Sequence, residues 1–199
     1  MVLASANPGK LEEMRAILAS TGLAIRAQDE FGIKSPEETG LSFVENALIK
    51  ARNAARITGL PALADDSGLC VDALNGEPGV HSARYAGNEA NDAANTAKLL
   101  AALADVPAVS RSARFQCVIV VMRHADDPMP VICQGTWEGS IQTSATGSNG
   151  FGYDPVFHVP GHGCSAAELD SATKNRLSHR GQALAALKEQ LSLPEHPYP

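Results

Sequence analysis

Two adjacent carboxylates follow a short apolar run in the stretch Leu60-Pro61-Ala62-Leu63-Ala64-Asp65-Asp66-Ser67-Gly68. The run is short and bounded by turn-forming residues, a pattern that predicts a β-strand ending at the carboxylates. Two ionised carboxylates side by side repel each other, so a fold offsets the repulsion with a cation or protonates one of them. Because ligands of α/β proteins bind beyond the ends of strands, the expected cation is a catalytic metal. The alternative is a solvated turn, since Asp, Ser and Gly are also common turn residues.

The patterns around this stretch predict strands that alternate with helices early in the chain and neighbouring strands later. Helix starts are indicated by Asn7 before Pro8 and by Ser42 with Glu45, which have the spacing of a capping box. The expected helices begin at Pro8, run from 43 to about 58, cover 92–103, and close the chain over about 183–191. The expected strands are 60–64, 69–74, 115–122, 131–137 and 139–143, with an irregular glycine-rich segment at 147–163. This order predicts a single α/β domain over residues 1–199 with a mixed β-sheet.

The overall composition is that of an ordinary globular protein. The chain has 199 residues, of which 44% are hydrophobic and 19% are charged, which is enough to bury a core. Its apolar segments are too short and too often interrupted by charge to span a bilayer. The start Met1-Val2-Leu3-Ala4 runs directly into polar Ser5, without the apolar stretch of a signal peptide. We therefore expect a cytoplasmic protein with no membrane partner.

Net charge and the metal-binding residue types narrow the possible partners. A formal net charge of −6 argues against a surface for nucleic-acid polymers, which relies on dense Lys and Arg. A polyanionic substrate would then need a local cationic cluster or a bound metal. The four cysteines form no CxxC pair and are expected to be buried or free thiols, not disulfides or zinc ligands. His158 and His162 are close in sequence but have no acidic neighbour, so they argue only weakly for a metal.

Two segments in the first part of the chain have the composition to receive phosphate and metal. Ser5-Ala6-Asn7-Pro8-Gly9-Lys10 joins a strand to a helix start, where free N–H groups and the helix dipole favour an anion. It lacks the spacing of a P-loop, and the alternative is a capped helix with an exposed lysine. The acidic loop around Glu37 and Glu38 could add a carboxylate to Asp66, because Mg²⁺ binds one or two carboxylates plus substrate phosphates.

Two later segments have the composition of a purine-binding site. In Gly150-Phe151-Gly152-Tyr153-Asp154-Pro155, aromatic residues alternate with glycines, which suits stacking on a flat base with the backbone close by. The alternative is a buried aromatic turn. The segment Lys174-Asn175-Arg176-Leu177-Ser178-His179-Arg180 concentrates cationic and hydrogen-bonding groups just ahead of the last helix. Its alternative is a solvated helix end.

Together, these segments resemble the inosine/xanthosine triphosphate pyrophosphatase family, which removes deaminated purine nucleotides from the precursor pool. The resemblance runs from Val2 to about Leu191. Its marks are Ser5-x-Asn7-x-x-Lys10, Phe43-x-x-Asn46-Ala47, Ala64-Asp65-Asp66-Ser67-Gly68-Leu69, Pro78-Gly79-x-x-Ser82-Ala83-Arg84-Tyr85, Gly150 to Phe157, and Ser178-His179-Arg180. Two departures, His81 in place of a usual Tyr and Ser165 in place of a common Thr, fall outside the positions with an implied site role.

The resemblance implies an elongated mixed β-sheet flanked by helices, two lobes with a central cleft, and a homodimer. It also implies that Asp66 binds the metal and acts as the proton acceptor, with Glu37 or Glu38 as a second Mg²⁺ ligand. The implied triphosphate-binding positions are Ser5, Ala6, Asn7, Pro8, Gly9, Lys10 and Ser67. The implied nucleoside-binding positions are Phe151, Gly152, Tyr153, Asp154, Lys174, His179 and Arg180.

The expected reaction is Mg²⁺-dependent hydrolysis of ITP, dITP or XTP between the α- and β-phosphates. The products are the nucleoside monophosphate and pyrophosphate, and a water oriented by Asp66 attacks the α-phosphorus. Lys10 and Lys174 are expected to hold the polyphosphate. Arg180 or a backbone N–H is expected to donate to O6 of the deaminated purine, which adenine replaces by an amino group.

Three other functions stay open at this point. A pyrophosphatase for other modified nucleotides, including pyrimidines, would use the same metal and phosphate residues. A nucleotide-binding protein without turnover would keep the binding segments, but the Asp pair and the acidic loop argue against it. Asp66-Ser67-Gly68 is also the active-site triplet of aspartic proteases, whose all-β fold the predicted helices contradict.

Overall fold

The computed structural model describes residues 1–5, 7–19 and 22–192, which form short and long strands interleaved with helices. The strands are β1 (Val2–Leu3), β2 (Arg26–Ala27), β3 (Ala62–Val71), β4 (Ser112–Met122), β5 (Val131–Ile141), β6 (Phe157–Val159) and β7 (Cys164–Ser165). The helices are α1 (Pro8–Leu18), α2 (Phe43–Thr58), α3 (Asp92–Ala102), α4 (Ser171–Leu177) and α5 (His179–Leu191). Within the described ranges, no helix is long and apolar enough to cross a membrane.

The strands form one mixed sheet with the order β2-β1-β3-β4-β5-β6-β7. Strand β1 is parallel to both β2 and β3, with Val2 opposite Arg26 on one side and Ala62 on the other. Strand β6 is antiparallel to β5 and to β7. The predicted mixed α/β sheet flanked by helices is therefore confirmed.

Local capping signals correctly predicted the starts of α1 and α2, whereas α4 was not predicted and α5 begins earlier than expected, at His179. The side chain of Asn7 accepts a hydrogen bond from the Lys10 backbone N–H at 3.1 Å, which begins α1. Ser42 and Glu45 form the expected capping box at the start of α2, which ends before Gly59. Each capping residue lies within one turn of the helix end that it determines. The helix start can therefore be predicted without the rest of the fold.

The acidic stretch lies inside a strand, so the prediction of a strand that ends at the carboxylates is wrong. Strand β3 runs unbroken through Asp65, Asp66, Ser67 and Gly68 to Val71. The first part of the separate strand predicted at 69–74 therefore belongs to β3. The solvated-turn alternative is wrong too, because the two aspartates are 1% and 6% exposed. Strands β1 and β4 pair with β3 on its two sides, and their hydrogen bonds keep it extended.

Strand β5 likewise continues through Gly139, so a separate strand at 139–143 is wrong. A Cβ atom at Gly139 would lie 2.5 Å from the Phe157 ring and 2.5 Å from the His158 carbonyl oxygen. The glycine therefore permits the neighbouring strand β6 to approach and does not mark a turn. Strand β6 itself lies inside the segment predicted to be irregular at 147–163.

The chain divides into two compact units. The first comprises Met1–Asp66, Cys117–Gly135 and the chain from Arg180 onward, and the second comprises Ser67–Gln116 and Thr136–His179. The first unit contains two buried apolar clusters, one with α2 and one with α1 and α5. The second unit has one cluster, which includes the aromatic residues Phe115, Trp137 and Phe157. The single-domain organisation stays a prediction.

Candidate active site

Strand alternation places Asp65 and Asp66 on opposite faces of β3. Ala62 and Ala64 pack in the cluster that contains the buried alanines of α2, whereas Leu63 packs in the cluster of α1 and α5. Because successive strand residues point to opposite faces, Asp66 points toward α2 and Asp65 toward α1 and α5. The two carboxylates therefore form their direct lysine ion pairs with different residues, Asp65 with Lys10 and Asp66 with Lys50.

Asp66 belongs to a carboxylate–lysine–carboxylate group in the first unit. Its Oδ1 atom lies 2.8 Å from Lys50 Nζ, and the same ammonium lies 2.9 Å from Glu38 Oε1. The Asn46 side chain donates to Asp66 Oδ2 at 3.4 Å and accepts from the Gly40 backbone N–H at 2.8 Å. One residue of α2 thus connects the acidic loop to the strand that carries Asp66.

Burial gives Asp66 the acid–base properties expected of a proton acceptor. Desolvation raises the pKa of the Asp66 carboxyl above its ordinary value, although the neighbouring Lys50 ammonium opposes the shift. Burial disfavours the charge of Lys50, yet the carboxylates of Asp65, Asp66 and Glu38 together raise its pKa. A buried carboxylate with a raised pKa accepts a proton more readily than an exposed one.

Asp65 has the opposite environment. Burial disfavours its charge, but Lys10, Arg180 and Lys50 together hold the pKa of its carboxyl well below the usual range. Lys10 Nζ lies 2.8 Å from Asp65 Oδ2, and Arg180 Nε lies 3.7 Å from the same oxygen. Asp65 is therefore a permanent buried anion that binds cationic side chains.

The segment from Ser5 to Lys10 contains the start of α1 and a lysine that forms an ion pair with Asp65. The Ser5 hydroxyl oxygen accepts from the Asn7 backbone N–H at 3.3 Å, and Gly9 lies in the first turn of α1. Ala6 and the side chain of Pro8 lie outside the described residues. The alternative of an exposed lysine is wrong, since the Lys10 side chain is 16% exposed and bound to Asp65.

In the second unit, Lys174, Asp154 and Phe151 form one cluster. Lys174 Nζ lies 2.7 Å from Asp154 Oδ2 and 4.9 Å from the centroid of the Phe151 ring. The Asp154 carboxylate also accepts from the Phe151 backbone N–H at 2.9 Å. Gly150 has a φ of 75°, and a Cβ atom there would collide with the Asp154 carboxylate. Only glycine fits this position without displacing the cluster.

Tyr153 and His179 are held by the core of the same unit. The Tyr153 hydroxyl donates to the Ser82 carbonyl oxygen at 2.8 Å, and its ring is 4% exposed. The His179 ring stacks on Phe115 with a centroid distance of 4.8 Å and an interplanar angle of 11°. Both rings are thus fixed in position by packing.

The carboxylate oxygens of Glu38 and Asp66 are the donor type that Mg²⁺ prefers. Of the two candidate loop glutamates, the structure brings Glu38 to the Lys50 ammonium, whereas Glu37 is exposed. Among the described residues, no group of three or more His, Cys, Asp or Glu side chains could hold a metal. Mg²⁺ needs only one or two protein carboxylates when phosphate and water supply the remaining oxygens, so the donor set fits.

Comparison with known proteins finds similar proteins over nearly the whole chain. The dITP/XTP pyrophosphatase of Xanthomonas oryzae pv. oryzae is 62% identical over 191 residues, covering 96% of each chain. The dITP/XTP pyrophosphatase of Vibrio cholerae is 58% identical over 187 residues, covering 94% of each chain. A solved HAM1 protein from Coxiella burnetii superposes with a TM-score of 0.90 at 54% identity, covering 96% of this chain and 97% of that one. The Ham1 family profile matches residues 1–190.

The chain belongs to the Ham1 family.

In this Ham1 chain, the Lys174–Arg180 segment is not a solvated helix end. Lys174 lies in α4, whereas His179 and Arg180 are the first residues of α5. All three side chains are buried, with exposures of 7%, 7% and 3%. Lys174 pairs with the buried Asp154 and Arg180 with the buried Asp65, whereas Arg176 is exposed, and the composition alone does not reveal this difference.

Sequence reasoning did not single out Lys50, which the structure places between Asp66 and Glu38. It lies four residues after Asn46 on α2, so both side chains leave the helix on the same face and reach Asp66. That face otherwise carries the buried small residues Ala47, Ala51 and Ala54. A lysine among alanines on a buried helix face was the available signal, because such a charge needs an anionic partner.

Proposed function

We propose that this Ham1-family protein hydrolyses deaminated purine nucleoside triphosphates, namely ITP, dITP and XTP, to the monophosphate and pyrophosphate. The observation that carries the proposal is Asp66, a buried carboxylate with a raised pKa that faces Lys50 and Glu38. The names of the relatives from Xanthomonas oryzae and Vibrio cholerae support the substrate class.

The proposed cofactor is Mg²⁺, held by Asp66 together with Glu38, or Glu37 as the alternative loop ligand. When bound, the ion neutralises phosphate charge that a chain of net charge −6 cannot neutralise alone. Asp66 would orient the attacking water and accept its proton at a carboxylate oxygen. Lys50 would hold the Asp66 carboxylate in the orientation required for this transfer.

The start of α1 would receive the phosphate oxygens. The proposed contacts are the backbone and side chains of Ser5, Ala6, Asn7, Pro8, Gly9 and Lys10, together with Ser67. Free N–H groups and the positive end of the helix dipole favour anions there, and Lys10 adds a charge already held in place by Asp65. Lys174 would supply a further cation for the polyphosphate.

The nucleoside contacts are proposed at Phe151, Gly152, Tyr153, Asp154, Lys174, His179 and Arg180. Hypoxanthine and xanthine carry O6, an acceptor for a buried donor such as Arg180, whereas adenine carries an amino group. Adenine would leave that donor unpaired at a cost of about 1–3 kcal/mol, and more for a charged donor, which corresponds to a discrimination of roughly tenfold to several hundredfold. A homodimer, which rests on the family resemblance, and a cytoplasmic location, which is the expectation from the sequence pattern, complete the proposal.

The test is a nucleotide panel assayed with the full chain in Mg²⁺. Phosphate is measured with malachite green, with and without added inorganic pyrophosphatase. We expect ITP, dITP and XTP to give signal only when the pyrophosphatase is added, ATP to react far more slowly, and EDTA to abolish turnover. Orthophosphate without the added enzyme would refute the assigned bond. A preference for modified pyrimidine nucleotides would favour the alternative substrate class.

A further inference from the structure

Arg180 is a buried guanidinium held by two carboxylates from different elements. Its side chain is 3% exposed at the first turn of α5. Its NH1 group donates to Glu13 Oε2 on α1, and its Nε atom lies 3.7 Å from Asp65 Oδ2 on β3. A guanidinium is planar, so the hydrogen bond at NH1 and the ion-pair contact at Nε together restrict its position and the direction of its plane.

Lys10, Asp65, Arg180 and Glu13 form a chain of alternating charges in the first unit. Glu13 lies three residues after Lys10 on α1, so both side chains leave the same face of the helix. Lys10 binds Asp65 at 2.8 Å, Asp65 faces Arg180, and Arg180 binds Glu13. Two cations and two anions balance within this chain, which explains how a buried arginine is tolerated.

We propose that Glu13 is a positioning residue that sets the selectivity of this enzyme by fixing the plane of the Arg180 guanidinium. This inference rests on the proposed function, in which Arg180 donates to O6 of the purine. A donor whose direction is fixed discriminates between O6 and an amino group, because it cannot turn away to relieve the mismatch. Glu13 acts through Arg180 and does not itself contact the substrate.

The adjacent residue Glu12 provides a matched control. It carries the same charge on the same helix, but its side chain is exposed. The isosteric changes Glu13→Gln and Glu12→Gln alter the net charge of the protein equally. Any effect of long-range charge on an anionic substrate should therefore be the same in both variants.

The experiment measures the ratio of kcat/KM for dITP to kcat/KM for dATP. We expect Glu13→Gln to lower this ratio by about fivefold or more, because the charged hydrogen bond that fixes Arg180 is lost. Glu12→Gln should leave the ratio within about twofold, the range of ordinary surface changes. Glu13→Asp keeps the charge and should retain part of the selectivity. If Glu13→Gln fails to fold, the test is made with Glu13→Asp. A wild-type dITP/dATP ratio in Glu13→Asp would then refute the proposal.

A double-mutant cycle with Arg180→Lys separates this inference from the proposed function. The lysine keeps the charge but lacks the planar fork, so the single variant should lose selectivity. Adding Glu13→Gln should then change the ratio no further, because the group through which Glu13 acts is gone. Additive losses in the double variant would overturn the inference. Selectivity retained by Arg180→Lys would instead refute the role of Arg180 in the proposed function.

Discussion

At the scale of single residues, two neighbouring aspartates have opposite properties because a strand turns their side chains to opposite faces. Asp65 faces Lys10 and Arg180, which keep its carboxyl ionised, whereas burial dominates at Asp66 and raises its pKa. When the pKa values of two neighbouring carboxyls shift in opposite directions, one commonly has a charged structural role and the other an acid–base role. Here Asp65 has the structural environment and Asp66 the acid–base environment.

This difference predicts opposite outcomes for two isosteric substitutions. Asp66→Asn should reduce kcat by about a thousandfold or more, because general-base assistance and a metal ligand are both lost. It should leave the thermal transition nearly unchanged, because Lys50 keeps Glu38 as a partner. Asp65→Asn should destabilise the fold by about 3–5 kcal/mol, because it removes the buried partner of Lys10 and Arg180.

Thermal denaturation and steady-state rates of both variants provide the measurement. The two aspartates are chemically identical neighbours, so each variant is the control for the other. Wild-type activity in Asp66→Asn would remove this residue from the mechanism. A wild-type thermal transition in Asp65→Asn would show that the ion pairs of Asp65 with Lys10 and Arg180 are not needed for stability.

At the scale of elements, the connection between β4 and β5 is held by one buried carboxylate. Asp127 accepts hydrogen bonds from the Arg123 backbone N–H and guanidinium and from the Met129 backbone N–H. The Arg123 side chain contributes most to holding the pKa of Asp127 well below its usual range. A carboxyl with a lowered folded-state pKa stabilises the fold above its unfolded-state pKa and loses this effect as pH falls.

We therefore expect Asp127→Asn to reduce the free energy of unfolding at pH 7 by about 1–3 kcal/mol. The difference from wild type should narrow below about pH 4, where the unfolded-state carboxyl takes up its proton. Urea denaturation at several pH values measures this. Asp126→Asn is the control, since that neighbouring side chain is 92% exposed and should have little effect. A difference that stays constant down to low pH would contradict the assigned cause.

Predictions from the sequence were correct for features that depend on residues close in the chain. They failed for features that depend on partners distant in the chain. Helices α1 and α2 follow from Asn7 and from Ser42 with Glu45, which act within a single turn. The course of β3 through Asp66 depends on the neighbouring strands and on Lys50, sixteen residues earlier in the chain. The sequence identified the acidic loop. It did not distinguish Glu38 from Glu37, because the contact of Glu38 with Lys50 depends on how the chain folds.

At the scale of the whole molecule, the charge balance supports the proposed cation. The chain has a net charge of −6, and a nucleoside triphosphate adds more negative charge. Lys10, Lys50, Lys174 and Arg180 are each already bound to a carboxylate in the structure. Because these four cations already form ion pairs with carboxylates, they compensate little of the charge of an incoming polyphosphate. An added divalent ion is therefore proposed.

Binding should therefore stabilise the entire fold, and only in the presence of the metal. The α,β-methylene analogue of dITP cannot be cleaved at the proposed bond, so it reports binding without turnover. At about 100 times its Kd, a ligand specific for the folded state adds about 2.7 kcal/mol, which raises the Tm of a protein of this size by about 5–10 °C. The matching dATP analogue controls for the base, and EDTA controls for Mg²⁺. An equal rise in Tm with both analogues would show that the protein does not select the base on binding. A full rise in EDTA would mean that the lysines and Arg180 neutralise the phosphates without a divalent ion, contrary to the charge balance argued above.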